Sequence, residues 1–247
     1  MQQSMTPLNW PIFGIRSAIA PDEVHLWAWP LEPIPPDLAA HVALLDPLEL
    51  RRYRAFHFAA DAGRYAVAHA NLRTILGGYC DRPPAKICFR AERFGKPELA
   101  GDDASSSISF SLAHSRNIAV LAVAYGQPVG VDVEDVRPIE PEVADAHFSA
   151  KENCDLSTLR GDAWLDGFYR CWTRKEAVLK AEGVGLHRAL DGFDVSLLAD
   201  APAELLETRE EFSYPWKLHD LSPAAGTIAA LATAYSNARL ACFSFLA

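Results

Sequence analysis

The sequence predicts an α+β chain made of two halves of about equal size. Three observations carry this. Apolar residues recur at three- and four-residue spacing over about 36–77 and again over about 164–182. Short runs rich in branched and aromatic residues follow each helical region. Gly126-Gln127-Pro128 then punctuates the chain near its middle. Helix followed by strands, twice over, divides an N-terminal half, 1–126, from a C-terminal half, 127–247.

A strand is expected over residues 24–29, followed by an irregular Pro-rich entry at 30–36. Leu38, Val42 and Leu45 begin the first helical pattern, and Tyr65, Ala68, Leu72 and Ile75 continue it. Asp46-Pro47 reads as the start of one helix and Gly77-Gly78 as the end of another. Strands are expected at 86–90, 110–112, 118–125 and 129–133, with a polar loop over 101–107 and a His-Ser-Arg-Asn turn at 114–117. In the second half, helices are expected over 149–155 and 164–182, the latter capped by Gly183 in the left-handed conformation. Strands follow at 193–198, 216–218, 228–235 and 240–245.

A chain of 247 residues with 50% hydrophobic and 22% charged residues is neither disordered nor fibrous. Its five scattered cysteines contain no CxxC pair, which argues against a disulfide framework or zinc ribbon and for a reducing cytoplasm. The first twenty residues show no signal-peptide pattern, and the apolar run at 228–235 is too short to span a bilayer.

The net charge of −9 disfavours nucleic acid, but it is unevenly spread. Residues 51–97 hold ten basic and three acidic side chains, a surplus of seven, so the rest of the chain carries −16. Such a window is either a solvated helix face or a local surface for an anionic group.

Gly130-Val131-Asp132-Val133-Glu134 alternates, so a strand there would present both carboxylates on one face. Two readings fit: a solvated strand face, or ligands to a hard divalent cation. In the long second-half helix, Phe168, Trp172, Glu176 and Lys180 fall at four-residue steps. The last two are either an ordinary i, i+4 pair or charges carried from apolar territory to a working edge.

Taken in order, the chain contains Phe94-Gly-Lys-Pro97, Phe110-Ser-Leu-Ala-His-Ser115, Gly130-Val-Asp-Val-Glu134 and Phe148-Ser-x-x-Glu152. Then comes Phe168-Tyr-x-x-Trp-Thr-x-Lys-Glu-Ala-x-Leu-Lys-x-x-Gly-x-Gly-Leu186. Over residues 94–186 this series resembles the 4′-phosphopantetheinyl transferases of the large, single-chain Sfp type. The resemblance implies a pseudo-twofold α+β monomer with its active site between the halves. It implies coenzyme A and an acyl or peptidyl carrier protein as substrates, with Mg2+ (or Mn2+) required, and it implies neither nucleic acid nor membrane as a partner.

By the same resemblance Asp132, Glu134 and Glu176 are expected as metal ligands, and Lys180 is expected at the coenzyme A phosphates. Lys96 and His114 are expected around the 3′-phosphate. Glu176 and Lys180 are the candidate catalytic pair, Glu176 as proton acceptor. Two departures stand out: Ala113 replaces the usual serine before the histidine, and Ala59-Ala60 replaces a basic residue before Asp61-Ala62. Arg54, Arg64 and Arg93 are therefore candidates for the missing phosphate contact. The carrier is expected to be steered by the basic window and to need an apolar patch, with Phe148 as a candidate. A metal-dependent phosphohydrolase acting on a nucleotide-type pyrophosphate is the competing reading, with an inactive binding module behind it.

Overall fold

The computed structural model describes residues 8–15, 18–91, 95–100, 107–209 and 211–246. Arg93, Phe94 and most of the loop at 101–107 lie outside them. The first half contains β1 (Glu23–Pro30), α1 (Leu38–Val42), α2 (Pro47–Ala55), α3 (Ala59–Cys80), β2 (Phe89–Ala91), β3 (Pro97–Leu99), β4 (Ile108–Ser115) and β5 (Ile118–Tyr125). The second contains β6 (Val129–Asp135), α4 (Glu142–His147), α5 (Ala150–Ser157), α6 (Asp162–Glu182), β7 (Phe193–Val195), β8 (Leu205–Thr208), β9 (Lys217–Leu221), β10 (Thr227–Thr233) and β11 (Arg239–Ser244).

Two sheets are stacked between two long helices. The first sheet has the order β11-β1-β5-β4 and the second β6-β10-β9. Trp27, Trp29, Leu121 and Val123 pack against Val67, Leu72, Ile75 and Leu76 of α3. Val24, Leu26, Ala28, Val120 and Ala122 meet Val131, Val133, Ala229 and Leu231 of the second sheet. The far face of that second sheet, with Ala230 and Ala232, packs under Ala177, Val178 and Ala181 of α6. Strands covered on both faces need apolar residues in unbroken runs, which is why β5 reads Ile-Ala-Val-Leu-Ala-Val-Ala-Tyr.

The α+β class is as expected. The two sheets, however, differ in strand number and order, so strand order lends no support to a symmetric duplication. β11 runs parallel to β1 and antiparallel β5 flanks β1 on its other side, so the last strand of the sequence completes the first sheet.

Helix ends follow local chemistry. Asp46 and Glu49 form a reciprocal capping box at α2, and Ser149 and Glu152 form another at α5. Gly183 closes α6 in the left-handed region, as expected. Gly77-Gly78 does not end α3, which continues to Cys80 with Asp81 left-handed at φ 49°. Gly77 serves close approach instead: a Cβ there would lie 2.7 Å from the Arg82 carbonyl oxygen. The strand expected over 193–198 stops at Val195, beside a register shift between Asp194 and Val195.

Several charges in the basic window are already paired within the first half. Arg73 is fully buried and donates to Glu49 Oε2 (2.7 Å), Asp46 Oδ2 (2.7 Å) and the Ile87 carbonyl (2.7 Å), tying α3 to α2. Arg90 pairs with Glu98 across β2 and β3. The exposed remainder on α2 is Arg51, Arg52 and Arg54, flanked by exposed Leu48 and Phe58.

Candidate active site

β6 and α6 build the acidic part of the site. Val131 and Val133 of β6 point into the core between the sheets, so the intervening Asp132 and Glu134 take the opposite face. The same face carries Gly130, where a Cβ would lie 2.1 Å from the Ala177 carbonyl oxygen and 2.3 Å from the Ala181 amide nitrogen. Only glycine lets the helix come this close. Ala177 and Ala181 each adjoin a site residue, Glu176 and Lys180, so Gly130 sets the strand-to-helix spacing of the site.

Asp132 is 5% exposed. Its Oδ1 accepts from Lys180 Nζ at 2.6 Å, while its Oδ2 is buried and has no hydrogen-bond partner. Glu134 Oε2 accepts from the Ser115 hydroxyl at 2.7 Å, and Ser115 Oγ itself accepts the Asp135 amide N–H at 3.2 Å. Ser111 Oγ accepts from Val131 N–H at 3.1 Å, so two serines of β4 stitch the sheets together beside the carboxylates.

Burial pushes the carboxyl groups of Asp132, Glu134 and Glu176 above their ordinary values. Asp132 and Glu134 add repulsion at Glu176, while Lys180 opposes the rise at all three. The three carboxylates therefore share one electrostatic neighbourhood. Among the described residues, no three His, Cys, Asp or Glu side chains are already gathered to close on a metal ion. The donor chemistry nonetheless suits a hard cation: oxygen ligands only, with one buried oxygen left unpartnered.

His114, next to last in β4, supplies the link to the other half. Its side chain is exposed, yet desolvation by the surrounding protein pushes its imidazole pKa down, with His69, Lys180 and Arg52 lowering it further. Basic groups from α2, α3 and α6 thus act on His114 of β4, and Lys180 among them also pairs with the acidic face. Arg52 and His69 are the members that sequence reasoning missed. Their only signal was membership of the basic window and a position on a helix, and it is the packing of α2, α3 and β4 within the first half that brings them toward His114.

The other candidates are placed differently. Arg64 pairs with Asp61 (2.8 Å) and with Glu32, so its charge is balanced within the first half. Lys96 Nζ donates to the carbonyl oxygens of Val129 (3.2 Å) and Ala181 (3.3 Å), at the end of α6 beyond Lys180. It forms part of the wall of a separate cavity of about 310 Å³ that Arg90, Tyr214 and Trp216 also line. Arg54 is exposed on α2. Phe148 is buried at 4% exposure and packs on Phe168 and Trp172, so it belongs to the core and offers no docking patch.

Lys175 and Glu152, both within the quoted motifs, form a fully buried ion pair at 2.8 Å. Lys175 Nζ also donates to the Leu190 carbonyl (2.7 Å) and to that of Phe193. Glu152 accepts the amide N–H groups of Ser149 (2.9 Å) and Val195 (2.8 Å). These residues brace α5, α6 and β7 behind the site.

The fold and site define an α+β protein in which one buried and two half-buried carboxylates gather beside Lys180. A family model described as the 4′-phosphopantetheinyl transferase superfamily matches residues 128–236, and one described as 4′-phosphopantetheinyl transferase, N-terminal, matches residues 28–126. The 4′-phosphopantetheinyl transferase HetI of Nostoc sp. is 36% identical over 86% of this chain and 88% of its own length. The 4′-phosphopantetheinyl transferase Sfp of Bacillus subtilis is 30% identical over 66% of this chain and 71% of its own. A third relative, 4′-phosphopantetheinyl transferase psf-1 of Bacillus pumilus, is 32% identical over 68% and 71% respectively.

The chain belongs to the 4′-phosphopantetheinyl transferase superfamily. By family it is a phosphopantetheinyl transferase, and the phosphohydrolase reading finds no support. Gly130→Ala is expected to force α6 off β6, costing about 1–3 kcal/mol in stability. Transfer should fall by about a hundredfold, because a displacement near 1 Å suffices for that loss. Denaturant titration and a transfer assay would measure the two effects.

Proposed function

We propose that this protein moves the 4′-phosphopantetheine group of coenzyme A onto a serine of an acyl or peptidyl carrier protein, with divalent-cation assistance and release of 3′,5′-ADP. The observation that carries the reading is the grouping of Asp132, Glu134 and Glu176 in one electrostatic neighbourhood with Lys180, whose Nζ lies 2.6 Å from Asp132 Oδ1 and whose charge also acts on His114. Polyanionic coenzyme A needs basic groups to hold it, and a serine hydroxyl needs a carboxylate to take its proton.

In this reading Arg52 and His114 hold the nucleotide end, and Lys180 offsets charge on the pyrophosphate. Lys96 and the cavity beside it supply a further anchoring point for the nucleotide. Asp132, Glu134 and Glu176 would hold Mg2+ or Mn2+, which when bound supplies neutralisation between the carboxylates and the pyrophosphate. The serine Oγ attacks the β-phosphorus, and its proton passes to the Glu176 carboxylate. The bond from that phosphorus to the bridging oxygen breaks, and 3′,5′-ADP leaves. Burial and the neighbouring Asp132 and Glu134 hold the Glu176 carboxyl above its ordinary value in the protein without cation. Exposed Leu48 and Phe58 beside Arg51, Arg52 and Arg54 give the carrier a basic, partly apolar approach on α2. The protein is read as a cytoplasmic monomer; among the described residues no helix is long and apolar enough to cross a membrane.

The deciding experiment is mass spectrometry of apo carrier proteins incubated with the protein, coenzyme A and Mg2+. A gain of one phosphopantetheine supports the reading; coenzyme A breakdown with no gain on any carrier overturns it. His114→Ala is expected to raise KM for coenzyme A more than for dephospho-coenzyme A. Equal increases would remove His114 from the 3′-phosphate.

A further inference from the structure

We propose that Lys180 is a displaceable counter-ion: its ammonium holds the cation's place on Asp132 until the cation binds, and then turns to the substrate's phosphates. This deepens the proposed function and rests on it.

The first support is the state of Asp132. Its carboxylate is almost wholly buried, with one oxygen on Lys180 Nζ at 2.6 Å and the other without a partner. A buried anion of this kind needs a compensating cation. Lys180 supplies one unit of charge to a neighbourhood of three carboxylates, so the compensation is incomplete. With the ammonium on Asp132, those carboxylates do not converge on a common point.

The second support is mobility built into one helix. Lys175 and Lys180 both lie on α6 and both pair with a carboxylate. Lys175 is fully buried and is held by two carbonyl oxygens as well as by Glu152. Releasing it would strand all three. Lys180 retains 31% side-chain exposure, with Asp132 as its recorded hydrogen-bond partner. Rotation about its own side-chain torsions can carry the ammonium off Asp132 without moving the backbone. The close seating of α6 on Gly130 keeps that backbone fixed.

If the ammonium occupies the cation's position, removing it should strengthen cation binding. If Lys180 merely helps to shape the site, removing it should weaken binding or leave it unchanged. The test is Mn2+ binding to the protein without coenzyme A, followed by electron paramagnetic resonance and by calorimetry. Lys180→Met is expected to bind Mn2+ about tenfold or more tightly than the parent. Lys180→Arg, which keeps the charge, is expected to bind no more tightly than the parent. Without cation, Lys180→Met should melt below the parent, with Mn2+ closing the gap; circular dichroism checks that the variant is folded. Equal or weaker Mn2+ binding by folded Lys180→Met overturns the counter-ion role, while the carrier mass assay on the parent still judges the proposed function. Mn2+ binding to neither protein overturns the cation site and this inference together.

Discussion

Lys175→Met is expected to destabilise the protein by about 3–5 kcal/mol, seen as a lowered midpoint in urea or guanidinium with the slope unchanged. The reasoning rests on what the substitution leaves behind. Glu152 has no solvent exposure and would keep a full charge with only the Ser149 and Val195 amides to hold it. The carbonyl oxygens of Leu190 and Phe193 would lose their donor in the same step. Met fills the volume of the lysine stem but satisfies none of these groups. Adding Glu152→Gln to Lys175→Met should recover part of the loss, since Gln can accept from an amide without carrying charge. A double-mutant cycle by denaturant titration measures the coupling, and simple additivity would show that the pair does not act as a unit.

Glu176→Gln is expected to reduce transfer by about 10²–10⁴-fold while leaving the protein at least as stable as the parent. The two effects have one origin. Burial and the nearby Asp132 and Glu134 disfavour the Glu176 carboxylate, so neutralising it relieves repulsion in the protein without cation. An acceptor for the serine proton, or a cation ligand, is lost at the same time. Such a trade of stability for function is usual where charges are held together for chemistry. Transfer kinetics with thermal melts would test both halves, and a variant that transfers at the parental rate would remove Glu176 from the site.

Much of the fold was legible because it rests on short-range chemistry. The helix start at Asp46-Pro47, the left-handed Gly183 and the alternation of β6 depend on residues a few positions apart. Gly77-Gly78 misled because a glycine pair signals termination only when nothing packs on it; here the Arg82 carbonyl does. Phe148 misled in a similar way, as a loop-flanking aromatic whose burial is decided by Phe168 and Trp172. The short α4 and β8 carry too few residues for a readable period.

At the site, the acidic residues could be named from their motifs, whereas the basic side required the fold. Arg54, Arg64, Arg73 and Arg52 look alike in a charge count. Packing buries Arg73 against Asp46 and Glu49, pairs Arg64 with Asp61 and Glu32, and leaves Arg52 exposed on α2, where its charge acts on His114. Lys175 and Lys180 are equally similar in sequence, and only burial separates the brace from the residue facing the cleft.

The parallel pairing of β11 with β1 bears on how the polypeptide is made. Until Arg239–Ser244 has left the ribosome, β1 has an unpaired edge, and Trp27 lacks the Phe243 ring that packs on it at 4.8 Å. The first half thus cannot mature ahead of the second during translation. A gene split after Tyr125 would yield an amino-terminal fragment with an open, sticky border, to be rescued by co-production of its missing strand.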